Sequence, residues 1–147
     1  MKLSWSSGLG GLLVLTCLAC GGSGGGGTSF TAGKYNGSLS DPGRASIVIE
    51  LNVSNSGTLT GKSTVVSAFS GAVVGVAQLN GTLDTSSRTF VVTGDYVNYL
   101  PPPPGGGGAG SVRVTGTIPA SGVPTGPIQV ENNTLVLSGV ISHFPLI

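Results

Sequence analysis

From Thr28 onward, apolar and polar residues alternate in short runs. Ile47, Ile49, Leu51 and Val53 alternate with Val48, Glu50 and Asn52. That period of two marks a strand with one face more apolar than the other. Asn55-Ser56-Gly57 reads as a turn, and Leu59-Thr60-Gly61 begins the return strand. A short motif recurs: apolar, polar, Gly, often polar, apolar. It appears as Tyr35-Asn36-Gly37-Ser38-Leu39, Leu79-Asn80-Gly81-Thr82-Leu83, Val114-Thr115-Gly116-Thr117-Ile118 and Leu137-Ser138-Gly139-Val140-Ile141, with a shorter form in Val92-Thr93-Gly94. In each, Gly shares a face with the apolar residues. Inward glycine weakens a strand but permits tight bending and close packing, which a strongly coiled sheet or small barrel needs.

Read along the chain, the pattern predicts strands at 34–40, 45–53, 57–66, 73–83, 88–97, 111–118, 126–131 and 134–141. Pro124 and Pro127 crowd the start of the seventh. With 27 glycines and 9 prolines, no long helix is expected. The fold class is all-β. Short links suggest an antiparallel meander closing into a small up-and-down barrel of about eight strands, which removes sheet edges. A β-sandwich is the alternative. A meander sends successive links to opposite ends. The links near 41–44, 67–72, 98–110 and 132–133 then share the end away from the N-terminus. The motifs Tyr35-Asn36-Gly37 and Gly57-Thr58-Leu59-Thr60-Gly61 resemble those of lipocalin-like and avidin-like meander barrels. Those families rely on Trp at the barrel floor or ligand site. The one Trp here is Trp5, in the leader, so no ligand residue carries over.

The N-terminus follows other rules. Met1-Lys2 precedes a short apolar run through Leu12-Leu13-Val14-Leu15 to Cys20. The run is well short of the ~20 residues that span a bilayer as a helix and suits a signal peptide. Cys17-Leu18-Ala19-Cys20 resembles the bacterial lipoprotein box, in which an aliphatic and two small residues precede a lipidated cysteine. The resemblance implies that Cys20 is lipidated, with Cys17, after Val14-Leu15-Thr16, as the alternative acceptor. Gly21 to Gly27, interrupted only by Ser23, is a flexible coil suited to a tether. Residues 1–19 are thus expected to be the signal peptide, 20–29 the lipidated cysteine and tether, and 30–147 the all-β domain. Gly21 rather than Asp after the cysteine implies the outer membrane in a Gram-negative host.

Charge and candidate chemistry narrow the function. Charged residues are 7% of the chain, against ~25% in typical soluble proteins. The domain's charges balance, which argues against nucleic-acid binding by phosphate neutralisation. Both cysteines lie in the leader, so the domain has no disulfide or thiolate metal site. His143 is the only histidine, and the sequence places no nucleophile or orienting partner beside it. No catalytic, cofactor or metal residue is assigned. The apolar stretch 65–74 with Phe69, and the loop Asn98-Tyr99-Leu100 followed by Pro101 to Pro104 and Gly105 to Gly108, offer candidate contacts: Phe69, Tyr99 and Leu100. The expectation is a membrane-anchored, exported, non-enzymatic module that binds a small apolar ligand or a protein partner. The alternative is a purely structural envelope protein; a hydrolase ranks below both.

Overall fold

A computed structural model of the chain describes residues 29–97, 110–132 and 135–144. They form strands β1 (Gly33–Asp41), β2 (Ala45–Val53), β3 (Thr58–Ser67), β4 (Val73–Leu83), β5 (Thr89–Val97), β6 (Ser111–Thr117), β7 (Thr125–Asn132) and β8 (Leu135–Phe144). Each strand pairs antiparallel with the next, and β8 returns to β1, closing a barrel in sequence order. The meander barrel is therefore the fold, and the sandwich alternative is set aside.

The strand bounds agree with the sequence expectation to within one residue except at the end of β8, and β7 forms despite its proline. Strand β8 runs on to Phe144 because it is the closing strand. Lys34 stands opposite Phe144 and Tyr35 opposite His143. Strand β7 contains Pro127, which has no N–H to give a ladder. Its pairing with β6 ends at Gly116–Ile128, so Pro127 lies just past the last β6 partner.

Alternation sorts the side chains into an inner and an outer wall. Leu51, Leu59, Leu79, Ile118 and Ile141 are among the large side chains with almost no exposure. An eight-stranded barrel is just wide enough inside for side chains to fill it. The motif glycines point inward among them and stand opposite large residues: Gly61 faces Leu51 and Leu79, and Gly116 faces Phe90 and Ile128. Small opposite large lets neighbouring strands approach without emptying the core. At Gly61 an added Cβ would strike the Glu50 carbonyl oxygen and lie 2.9 Å from Leu51 Cδ2. At Gly94 it would strike the Gln78 carbonyl oxygen. Only glycine fits where backbones approach so closely. The interior also holds a polar pair, with Ser63 Oγ 2.9 Å from Tyr96 Oη.

The end where β1 begins is closed by the β6–β7 link. The Ile118 amide donates to the Arg88 carbonyl at 2.9 Å, and the Ser121 amide to the Ser29 carbonyl at 2.9 Å. The Tyr35 hydroxyl donates to the Thr31 carbonyl. The opposite end carries the β1–β2, β3–β4, β5–β6 and β7–β8 links.

Candidate functional site

Of the residues singled out from sequence, Phe69 and His143 lie among the described residues, at opposite ends of the barrel. Cys17, Cys20, Tyr99 and Leu100 lie outside the described residues. Phe69 sits on the β3–β4 link at the end opposite the β1 entry and is 77% exposed. That link is braced by the Ala68 amide, which donates to the Arg44 carbonyl at 3.0 Å. Val73, after the link, and Val97, at the end of β5, are also exposed. Val76 stands opposite Val97 across the β4–β5 pair. The apolar stretch 65–74 thus divides: Val65 is buried in the core and Val74 packs against it, while the link tip with Phe69, and Val73 beside it, form an exposed rim.

His143 lies at the other end, half-buried on the inner side of β8. Its ring meets Tyr35 edge-on, with centroids 5.0 Å apart and planes at 69°. Burial pushes the Tyr35 hydroxyl above the usual phenol range. The two rings border a hollow of about 480 Å³ under the β6–β7 link, with Pro119, Val123 and Pro124 on its far side. Among the described residues, no group of three or more His, Cys, Asp or Glu side chains is placed to hold a metal ion.

The outer wall holds a more extended feature. Register brings side chains from distant parts of the chain into one row. Asn52, Thr60, Asn80, Thr93, Arg113 and Glu131 stand opposite one another in turn from β2 to β7. A second row runs Asn36, Glu50, Lys62, Gln78 across β1 to β4. Between and beside these rows the wall dips into two hollows, of about 870 and about 330 Å³, with Gln78 as a shared wall. Gly94 lines the larger and Gly61 the smaller. The depressions therefore lie where inward glycines draw neighbouring strands together.

Two ion pairs fix charged groups on these walls. Lys62 Nζ lies 2.7 Å from Glu50 Oε2, and Arg113 Nη1 donates to Glu131 Oε2 at 3.3 Å. Both pairs are half-exposed, so they order the side chains more than they stabilise the fold. Asn132, at the edge of the larger hollow, has a buried Oδ1 with no hydrogen-bond partner among the described residues.

These hollows were missed in the sequence because their residues are far apart along the chain. A signal was nonetheless present. The polar residue just before each motif glycine, such as Asn36, Thr60, Asn80 and Thr93, must face outward if the glycine faces in. A scan against protein-family models and searches of curated proteins and of solved structures find no match for the chain.

Proposed function

We propose that the chain is an exported lipoprotein, anchored through Cys20 to the cell envelope, at the outer membrane in a Gram-negative host, and that it acts by contact and not by catalysis. The anchor reading is supported by the lipobox-like Cys17-Leu18-Ala19-Cys20 and the glycine-rich stretch after it. Acyl chains on the cysteine would hold the protein at a leaflet, and the coil would let the barrel stand off.

The contact reading is carried by one observation: the barrel interior is packed with apolar side chains, while the hollows described above open on the outer wall or at the β1-entry end. This favours recognition by the outer surface over a small apolar ligand carried inside. Phe69 and its rim are a candidate protein contact, at the end facing away from the tether. A purely structural envelope role is the second reading, favoured by the same packed interior.

The anchor is tested by fractionating cells that express the wild type, Cys20→Ala or Cys17→Ala. Cys20→Ala should leave the membrane fraction while Cys17→Ala stays. Unchanged fractionation of Cys20→Ala would overturn the assignment.

A further inference from the structure

We infer that the part of the β7–β8 face nearest the β1-entry end rests on the lipid leaflet to which the tether ties the barrel. The inference rests on the anchor reading above and names a partner, a lipid surface, for one side of the domain.

The tether decides which end can meet lipid. Nine residues, Gly21 to Ser29, follow Cys20. A coil of that length spans about 15–18 Å, and a fully extended chain no more than about 32 Å. The tether reaches the barrel at the end where β1 begins, and there the Ser29 carbonyl accepts the Ser121 amide of the β6–β7 link. Barrel strands rise about 3.3 Å per residue and tilt by about 40°, so the far rim with Phe69 stands about 25 Å higher. The tether therefore keeps the β1-entry end beside the leaflet and the far rim away from it.

Surface type decides which side of that end turns to the lipid. On the outer face Val140 stands opposite Pro127, and both are exposed. Phe144 ends the same face of β8 and is 52% exposed. Val123 and Pro124, also exposed, lead into β7 at Thr125, which stands opposite Ser142. These apolar residues form one patch on two paired strands and the link that leads into them. Among the described residues the patch carries no charged side chain. Charge returns on this seam only at Glu131, opposite Val136 and toward the far rim. Four strands round the closed barrel, the β4–β5 link carries Asp84 and Arg88. Laying that side on lipid would strip water from a carboxylate at a high cost. The barrel leans instead toward β8.

The edge of the patch suits a head-group boundary. Lys34 stands opposite Phe144 across the β1–β8 pair, and both are exposed. Apolar and aromatic side chains bury at that boundary. A lysine beside them lays its stem on the apolar surface and keeps its ammonium among the lipid phosphates. The contact can be weak, because the tether makes it intramolecular.

The test uses the full lipidated chain in vesicles of phosphatidylethanolamine and phosphatidylglycerol, at low protein-to-lipid ratio. Maturation at Cys20 leaves no other cysteine in the chain. A nitroxide is therefore attached to Val123→Cys, Val140→Cys or Phe69→Cys, all exposed positions. Collision with a water-soluble nickel complex should be about fivefold rarer at 123 and 140 than at 69, as for side chains set into the head-group boundary. Phe144→Glu should raise the collision rates at 123 and 140 toward that at 69, and Val73→Glu, at the far rim, should leave them low. Mass spectrometry of the same sample reads the acyl group on Cys20. A chain without it overturns the anchor reading and this inference together. An acylated chain with equal collision rates at all three labels, or with protection that survives Phe144→Glu, overturns this inference alone. Protection that rises with protein density places a second copy on the patch and overturns the lipid assignment.

Discussion

The inner and outer walls of this barrel are built from the same eight strands but obey different constraints. Inside, each position is set by volume. Leu79 lies beside Gly61, and Phe90 beside Gly116, so a large side chain occupies the space a glycine leaves. Outside, volume is free, and the positions carry Thr, Asn, Gln and the charged pairs. The inner wall therefore holds the stability, while the outer wall is free to carry chemistry. The hollows join the two walls, because Gly61 and Gly94, which face the core, also line the dips in the outer surface.

The sharpest way to break this contrast is to substitute adjacent residues on opposite faces. Gly94→Val places a Cβ against the Gln78 carbonyl oxygen and 3.3 Å from Leu79 Cδ2, so β4 and β5 must separate. A loss of about 3 kcal/mol is expected, at the upper end of ordinary overpacking. Thr93→Val, one residue earlier on the exposed face, should change stability by no more than about 0.5 kcal/mol. Urea unfolding of the two variants checks both values. Equal effects would mean that the glycines are not what closes the barrel.

The difference between the walls also decides what the sequence revealed. Strands such as 45–53 and 73–83 were legible to the residue, because burial enforces a period of two and turns such as Asn55-Ser56-Gly57 mark their limits. Closure was harder to read, since the β1–β8 seam runs through His143 and Phe144, where the apolar alternation lapses. The outer-wall rows were least legible. Asn52, Thr60, Asn80 and Thr93 become neighbours only through four-strand register, and register is a property of pairing, not of any one strand. Phe69 was picked out from a local apolar run, and its exposure follows from its place at a link tip, which alternation does not govern.

A smaller effect is expected at the polar pair inside the inner wall. Ser63 is fully buried, and its hydroxyl lies 2.9 Å from that of Tyr96. Tyr96→Phe keeps the ring and removes that hydrogen bond, at a cost of about 1–2 kcal/mol. Ser63→Ala in the Tyr96→Phe background should cost less than Ser63→Ala alone, because the shared bond is already gone. A double-mutant cycle by urea unfolding measures the coupling. Additive losses would show that the two hydroxyls do not support one another.

The smallest expected effect lies on the outside, in the β4–β5 link. Asp84 Oδ1 accepts from the Ser86 amide at 2.9 Å and from the Ser86 hydroxyl at 2.6 Å, with the Ser87 amide at 3.3 Å. These bonds, the Ser86 hydroxyl foremost, hold its carboxyl down at about 2 from an ordinary value of 3.8. A carboxylate with a depressed folded value favours the fold above its unfolded value and loses that contribution as pH falls through the folded one. The contribution is therefore present at neutral pH and fades from about pH 4 to about pH 2. The group is fully exposed, so the effect is confined to that acid window and to a shallow slope. Asp84→Asn keeps a side-chain oxygen acceptor for the turn but does not titrate. Melting temperatures measured across the window should fall less steeply for Asp84→Asn than for the wild type, while the two stay close at pH 7. Parallel slopes would mean that the turn persists in the unfolded chain, and that this part of the outer wall contributes nothing to the acid sensitivity of the fold.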